Sequence, residues 1–346
     1  MYLNPQATIT AIDLSGEALA VAKERCARSS VGKTVGRDRA AVEFHHLSLY
    51  DAAQLPGEFD QINCVGVLHH LPDPTRGLQA LAAKLAPGGL IHIFVYGALG
   101  RWEIQLMQRA IAMLQKASPS QEANPYRDGV AIGRAIFNSL PEHNRLKKRE
   151  HERWSMENQR DECFADMYVH PQEIDYTIET LFDLIEASGL EFVGFSNPDY
   201  WRLDRLLGQA PDVLERAAAL SDRERYRLVE LLDPEGATHY EFFLAKPPIA
   251  IETWADDDRL AAARPELNPC MDNWPSRCLF NQDYRIIDLN DREFAFLEAC
   301  AANGADLAAG EPGQTVAELL SAVPGLDLAA VRSLLDRRLL LVSIPA

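Results

Sequence analysis

The sequence predicts an α/β fold with a doubly wound, mostly parallel sheet, helical insertions and a small, mainly helical C-terminal domain. Between residues 7 and 96, strand-like runs alternate with helix-like runs, which is the order that βαβ units require. The strand-like runs are almost continuously apolar, as expected when helices cover both faces of a sheet. Beyond about residue 249, apolar residues recur mainly at helical spacing.

The first 96 residues predict four strands joined by helices. The strands are expected at 7–15, 41–49, 59–68 and 88–96. Helices are expected at 16–27 and 74–86, the second capped near Asp73 with Pro74 in its first turn. The run Pro-Gly-Gly at 87–89 predicts the turn into the fourth strand.

Two domains are predicted from the whole chain. The first, 1–248, is the α/β domain, with helical insertions at about 97–169 and 198–237 and late strands near 190–196 and 239–246. The second, 249–346, follows a linker. The pattern of apolar residues in its segment "TVAELLSAVPGLDLAAVRSLLDRRLLLV" is typical of a winged-helix-like domain.

The charge balance narrows the range of partners. The 346 residues carry a net charge of −17, which argues against binding to nucleic acid or to an anionic membrane. The C-terminal domain holds 16 acidic and 8 basic residues, so a DNA-reading role is disfavoured. Contact with a peptide or protein, or a homodimer interface, fits that domain better.

Cysteine usage and hydropathy indicate a cytoplasmic protein. The six cysteines are scattered and form no CxxC pair or other zinc-like spacing, which predicts reduced thiols and no metal site. No apolar run reaches the roughly 18 residues of a membrane span. The first residues lack the pattern of a signal peptide.

Acidic residues follow two of the predicted strands. Asp13 ends the first strand and Asp51 follows the second. In doubly wound folds, ligands lie outside the carboxyl ends of the strands, where a carboxylate can accept hydrogen bonds from ribose hydroxyls or an adenine amine. The alternative for Asp13 is that it caps the following helix.

Four segments in this order and spacing resemble the class I S-adenosylmethionine-dependent methyltransferases. They are "ITAIDLS", "YDAAQLP", "FDQINCVGVLHHLPDP" and "LAAKLAPGGLIHIFVY". The resemblance covers about residues 5–97 and, more loosely, 170–246. It implies a Rossmann-like sheet, S-adenosylmethionine as cofactor, no metal, and methyl transfer to a small-molecule or peptide acceptor.

The resemblance also implies roles for individual residues. Asp13, with Leu14 beside it, would hold the cofactor ribose; Tyr50 or Asp51 would meet the adenine; Val65 and Gly66 would line the methionine side. His69 and His70 would lie at the mouth of the same site. Either histidine could act as a base towards an attacking oxygen or nitrogen, or could brace the loop.

One departure from the family concerns the N-terminus. The family begins with a strand and a GxGxG-like loop, whose glycines allow close backbone approach to the cofactor. Here Met1 precedes the Asp13 strand by only a few residues. We expect an N-terminal truncation rather than a degenerate relative, and a chain of this form would have unpaired strands and bind cofactor poorly.

Other interpretations were weighed against the methyltransferase. The chain could be a non-catalytic relative that binds or scaffolds, or an acidic winged-helix regulator. The segment "ARSSVGKT" at 27–34 matches a P-loop pattern, but it follows a helix and precedes a strand, the reverse of what that loop requires. The insertion at 97–169 suits a substrate lid, and His170, Tyr176, Tyr200 and Trp201 are candidates to face the site.

Overall fold

The computed structural model describes residues 7–28, 42–117, 124–249, 254–281, 285–308 and 313–344. The chain divides into two compact units, of which the larger spans Ala7–Ile249 and the smaller contains Ala250–Ala346. Among the described residues, no helix combines the length and the apolar character needed to cross a membrane. The P-loop-like segment lies almost entirely outside the described residues.

The strands of the larger unit form the predicted α/β sheet. They are β1 (Ile9–Asp13), β2 (Val42–His46), β3 (Phe59–Val65), β4 (Leu85–Tyr96), β5 (Glu191–Phe195) and β6 (His239–Ala245). β1 pairs with β2 in parallel, and a four-stranded sheet has the order β3-β4-β6-β5. β3 and β4 are parallel, whereas β6 runs antiparallel to both of its neighbours. The predicted Rossmann-like fold class is confirmed.

In the described part of the chain, the strands of the larger unit form two separate sheets. Within the described residues, β1 pairs on one side only, with β2, and β3 pairs on one side only, with β4. A side-chain link joins the carboxyl ends of the two sheets. The Tyr50 hydroxyl, just after β2, accepts from the Asp73 N–H at 2.9 Å and donates to the Asp73 carbonyl at 3.1 Å. Asp73 follows β3, so the carboxyl ends of β2 and β3 face the same region.

Helices pack on one face of the four-stranded sheet and enclose the main core. The helices that border this sheet are α2 (Pro74–Lys84), α7 (Ile178–Ser188), α8 (Asp204–Leu207), α9 (Pro211–Ala217) and α10 (Asp222–Leu232), whereas α1 (Gly16–Arg28) packs on β1 and β2. The side chains of Ile91, Ile93 and Val95 are fully buried against this core, whereas the alternate residues of β4 are half-buried or exposed. This alternation follows from the two-residue period of a strand.

The start of β4 differs from the prediction. The preceding helix ends at Lys84, and β4 begins at Leu85, so residues 87–89 lie within the strand and not in a separate turn. β3 bulges relative to β4 here, because Phe59 pairs with Leu85 while Gln61 pairs with Leu90. Gly88 has φ of +77°, and this left-handed conformation explains why glycine suits the irregular segment.

The predicted insertion after β4 folds into a separate helical cluster. Its helices are α3 (Trp102–Ala117), α4 (Pro125–Ser139), α5 (Arg145–Arg149) and α6 (Asp161–Tyr168), with a π-helical turn at Glu150–Trp154. Ile104, Met107 and Ile111 pack with Phe164 and Tyr168 in its core. Gly97 and Tyr176 form a parallel bridge where the insertion leaves and rejoins the sheet.

The smaller unit has more strand than the helical prediction for 249–346 allows. Its helices are α11 (Asp257–Ala262), α12 (Asp291–Ala308), α13 (Val316–Ala322) and α14 (Leu328–Asp336). Its strands are β7 (Arg264–Leu267), β8 (Cys278–Phe280), β9 (Ile286–Asp288) and β10 (Leu340–Ser343), and they pair antiparallel as β7-β10 and β8-β9. The short strands were missed because three or four residues give too little alternation to recognise.

Candidate functional site

Five of the predicted site residues form what we call the open edge, namely Asp13, Leu14, Asp51, Val65 and Gly66. They follow or end the parallel strands β1, β2 and β3. The large apolar side chains here are uncovered, with Leu14 73% and Val65 51% exposed. Exposed aliphatic side chains beside carboxylates are suited to a ligand that combines a flat apolar ring with hydroxyl groups.

One oxygen of the Asp13 carboxylate takes part in the turn that caps α1, which is the alternative role considered for this residue. Its Oδ1 accepts from the Ser15 N–H at 2.7 Å, and the Ser15 hydroxyl in turn accepts from Ala18 N–H in the first turn of α1. Asp13 is exposed, and its Oδ2 has no protein hydrogen bond in the described ranges. One carboxylate oxygen therefore orders the local turn while the other is available to a ligand.

The Tyr50 hydroxyl holds the backbone of the loop that precedes α2. The hydroxyl is used by the Asp73 backbone, and the Arg76 guanidinium lies 4.8 Å from the centre of the ring. Asp51 lies next to it in the 3₁₀ turn Leu49–Gln54 and is exposed. Of this pair, Asp51 has the carboxylate that is open to a ligand, and Tyr50 fixes the turn that carries it.

Gly66 makes a sharp turn at the end of β3. Its φ is +72°, and its N–H donates to the Phe94 carbonyl of β4 at 3.2 Å. The space where a β-carbon would project holds no atom within 4 Å. The requirement for glycine here therefore comes from the backbone conformation and not from crowding.

His69 and His70 belong to a cluster of stacked rings. The His69 ring is fully buried and stacks on the Tyr96 ring at 4.0 Å between centroids and 27° between planes. His70 is 4.2 Å from His69 and 3.9 Å from His170, measured between ring centroids. Both ring nitrogens of His69 lack a hydrogen-bond partner in the described part of the chain.

Burial determines the charge state of His69. Loss of solvent, followed in order by the neighbouring His70, Arg101 and His170, lowers the pKa of His69 to about 3. Burial also lowers the pKa of His170, with His70 adding to the effect. His69 is therefore a neutral ring at physiological pH.

The backbone of Gln172 fixes the tautomers of the other two rings. Its carbonyl oxygen lies 2.9 Å from His70 Nδ1, which must therefore be the donor. Its N–H donates to His170 Nδ1 at 3.2 Å. In neutral His70 the free lone pair consequently lies on Nε2, whereas neutral His170 carries its proton on Nε2.

A buried ion cluster supports the Tyr96 ring from the other side. The Arg101 guanidinium lies 3.5 Å from the Tyr96 centroid and donates to Glu173 Oε1 at 3.1 Å. Its Nε is 3.9 Å from Asp175 Oδ1, and the three charged side chains are only 4–5% exposed. Burial, followed by repulsion from Glu173, raises the pKa of Asp175 to about 7 despite Arg101.

A cavity of about 650 Å³ lies above this cluster and is partly open to solvent; it is called the enclosed cavity here only because the sheet and the helical insertion flank it. Phe94 and Tyr96 at the carboxyl end of β4, together with His239 at the start of β6, form one wall. Trp154 and Asp166 from the helical insertion contribute to the opposite wall. The cavity volume is suited to a small molecule or to one extended side chain.

The other residues that the sequence suggested for the site separate into two groups. His170 joins the histidine cluster. Trp201 and Tyr176 are buried in the main core, where Trp201 stacks on Phe195 at 4.2 Å between centroids. Tyr200 packs beside Trp201 and does not line the enclosed cavity. Within the described ranges, no group of three or more His, Cys, Asp or Glu side chains is arranged to hold a metal ion.

Sequence reasoning missed Arg101, Glu173 and Asp175. The only local signal for them was position, because Arg101 follows β4 and the two acidic residues precede α7. The contact between Arg101 and Glu173 spans 72 residues. Such a pairing depends on where the insertion rejoins the sheet, which local patterns do not specify.

Comparison with known proteins agrees with the geometry. A family model described as a methyltransferase domain matches residues 1–91. An uncharacterised protein of Synechococcus sp. is 58% identical over 345 residues, covering all of this chain and 78% of that protein. The structure of PKMT2 from Rickettsia typhi in complex with AdoHcy has a TM-score of 0.59 at 14% identity, over 98% of this chain and 67% of that one.

The chain belongs to the class I S-adenosylmethionine-dependent methyltransferases. The ubiquinone biosynthesis O-methyltransferase of Xanthomonas euvesicatoria pv. vesicatoria is 38% identical over 88 residues, which is 25% of this chain and 33% of that enzyme. The predicted family, the methyltransferase class of enzyme and S-adenosylmethionine as its cofactor are thereby confirmed. The chain spans only a third of the O-methyltransferases it matches, so their acceptor is not transferred to this methyltransferase.

Proposed function

We propose that this chain transfers a methyl group from S-adenosylmethionine, held at the open edge, to an acceptor in the enclosed cavity. The observation that carries the proposal is that β3, which ends at the open edge, is paired in parallel with β4, whose carboxyl end forms one wall of the cavity. Val65 on β3 pairs with Phe94 on β4, so the end of the open edge adjoins the wall of the cavity. A methyl donor and an acceptor must meet at such a junction.

The open edge fits the cofactor chemically. The Asp13 Oδ2 can accept from ribose hydroxyls, and the Asp51 carboxylate can accept from the adenine amine. Leu14 and Val65 offer exposed apolar surface for the adenosyl group and the methionine chain. When bound, the cofactor supplies a methyl group on a positively charged sulfur, which is electrophilic without help from a metal.

We assign different roles to the two adjacent histidines. His69 is fully buried, neutral and stacked on Tyr96, so it positions the cavity wall and does not contact the acceptor. His70 is half-buried, and its ring lies 6.1 Å between centroids from Tyr96, which lines the cavity; because Gln172 uses only its Nδ1, we assign His70 Nε2 as the candidate base. The remaining contribution of the chain is to align the acceptor and to exclude water.

The cofactor assignment is tested with Asp13→Asn and isothermal titration of S-adenosylhomocysteine. Asparagine keeps the Oδ1 acceptor for Ser15 N–H, so α1 should stay capped while the ribose loses its carboxylate. We expect the dissociation constant to rise at least about tenfold, which corresponds to about 1.4 kcal/mol.

The matched control is Asp60→Asn, an exposed aspartate at the opposite end of β3. It removes the same charge and should leave cofactor affinity unchanged. Equal affinity in Asp13→Asn and the parent protein would remove Asp13 from the site. No binding by the parent would favour a binding or scaffold protein over an enzyme.

A further inference from the structure

We propose that His46 is a positioning residue of the cofactor site. It holds the turn after β1 so that one oxygen of the Asp13 carboxylate stays open to the ribose of S-adenosylmethionine. The inference rests on the proposed function, because it takes Asp13 as the residue that binds the ribose. It is carried by one peptide unit that His46 and Asp13 hold from opposite ends.

His46 is the last residue of β2 and lies beside the end of the strand that carries Asp13. The two residues are directly paired in the parallel register of β1 and β2. The next residue continues this pairing, because the Leu47 N–H donates to the Asp13 carbonyl at 3.1 Å. The strand pairing therefore sets the distance between His46 and the turn that begins after Asp13.

The His46 ring binds the backbone of that turn. Its Nε2 lies 2.8 Å from the carbonyl oxygen of Leu14, a residue 32 positions away in the chain. A carbonyl oxygen can only accept a hydrogen bond, so Nε2 carries the proton and is the donor. The ring also lies beside the start of α1, where its Nδ1 is 3.9 Å from the position that a β-carbon on Gly16 would take.

The Leu14 carbonyl and the Ser15 N–H belong to the same peptide unit, and this unit links His46 to Asp13. Its carbonyl accepts from His46 Nε2 at 2.8 Å, and its N–H donates to Asp13 Oδ1 at 2.7 Å. Because a trans peptide is planar, fixing the direction of the carbonyl also fixes the direction of the N–H. His46 therefore orients the N–H that holds the Asp13 carboxylate.

This chain of hydrogen bonds determines which carboxylate oxygen is offered to a ligand. Donation to the Leu14 carbonyl polarises the peptide and makes the Ser15 N–H a better donor to Asp13 Oδ1. With Oδ1 engaged, Oδ2 is the oxygen left for a ribose hydroxyl. Without the His46 donor, the peptide could rotate and release the carboxylate, and the ligand would then have to order that side chain on binding.

The position of the Leu14 side chain depends on the same contacts. The peptide before Leu14 is held by the Leu47 N–H, and the peptide after it is held by His46 and Asp13. The backbone of Leu14 is therefore fixed on both sides while its side chain stays 73% exposed at the open edge. An aliphatic side chain held in this way offers a fixed apolar contact to the adenosyl group.

The test compares His46→Met, His46→Gln and His45→Met in the full chain. Methionine removes the donor and keeps an extended side chain, whereas glutamine places an amide N–H at about the distance of Nε2 from the backbone. His45 is the matched control, because it lies next to His46 on the opposite face of β2 and its Nε2 is 3.4 Å from Glu43 Oε2.

Isothermal titration of S-adenosylhomocysteine is the first measurement. We expect His46→Met to raise the dissociation constant about threefold to tenfold, the effect of losing one hydrogen bond. His46→Gln should restore most of the parent affinity, and His45→Met should leave it unchanged. Urea denaturation of the same variants identifies a merely structural role, which would lower stability without changing the affinity of the folded protein.

Exchange of the Ser15 amide proton, followed by NMR without ligand, is the second measurement. We expect exchange at least about threefold faster in His46→Met, because the peptide unit loses the contact that orients it. His46→Gln and His45→Met should exchange as the parent protein does. This measurement reports on the peptide unit whether or not the cofactor binds.

Two results would overturn the assignment of His46. One is equal affinity for S-adenosylhomocysteine in His46→Met and the parent protein. The other is an equal loss of affinity in His46→Met and His45→Met. Failure of the parent protein to bind S-adenosylhomocysteine would refute the proposed function instead, and the Ser15 amide would still show whether His46 holds the turn.

Discussion

The open edge and the enclosed cavity lie at the same end of the strands but differ in how far the protein has organised them. At the open edge, Leu14 and Val65 are largely exposed, and β1 and β3 each have a side that no described strand pairs with. Around the cavity, the supporting side chains His69 and Arg101 are buried and held by stacking and ion pairs. The acceptor side is therefore preorganised, whereas the apolar side chains of the cofactor side are left exposed.

The largest expected effect concerns the ion cluster beneath the cavity. Arg101→Met preserves much of the side-chain volume but leaves Glu173 and Asp175 buried without their cation. We expect a loss of about 3–5 kcal/mol in the free energy of unfolding, measured by urea denaturation.

Arg127→Met is the control, because Arg127 is an exposed arginine on α4. Its stability should change by less than about 0.5 kcal/mol. If both variants lost equal stability, the buried cluster would not be what organises the acceptor side.

A second prediction separates two opposing pH effects within the acceptor side. Between about pH 4 and 6.5, folded His69 is neutral while the unfolded ring binds a proton, so its contribution to stability rises with pH. Over the same range, folded Asp175 is protonated while the unfolded carboxyl ionises, so its contribution falls as pH rises. The two slopes, each at most about 1.4 kcal/mol per pH unit, should largely cancel in the parent protein.

Single variants should reveal each slope. Asp175→Asn leaves the His69 effect, so stability should rise with pH; His69→Phe keeps a ring on Tyr96 and leaves the Asp175 effect, so stability should fall. Urea denaturation between about pH 4.5 and 6.5 measures both. Parallel curves for the two variants would contradict the assigned charge states.

The smallest expected effect probes the open edge. Gly66 and Gly57 both have positive φ, +72° and +69°, and both have open space beside them. Replacing either with alanine should cost about 1 kcal/mol of stability through backbone strain. Only Gly66→Ala should also weaken S-adenosylhomocysteine binding, as measured by calorimetry. Equal affinities in the two variants would place Gly66 outside the cofactor site.

The sequence indicated the strand ends at the open edge better than the contacts around the cavity. Asp13 ends β1, and Asp51 and Gly66 follow β2 and β3, whose apolar runs are visible in the sequence, while the cofactor roles of these residues stay predictions. The cavity depends on contacts between distant segments, such as His70 with Gln172 and Arg101 with Glu173. Nor does any local pattern specify that β6 inserts between β4 and β5. These features arise from packing and can be read only from the folded chain.

Two backbone hydrogen bonds close the base of the insertion, and they have a consequence for how such proteins diversify in evolution. The Ala98 N–H donates to the Tyr176 carbonyl at 2.6 Å, and the Tyr176 N–H donates to the Tyr96 carbonyl at 2.9 Å. Residues 98–175 thus leave the sheet and return to it at adjacent points. Genetic exchange of residues 98–175 for another insertion would replace most of the acceptor wall at once. The strands that carry the cofactor residues would need no rearrangement.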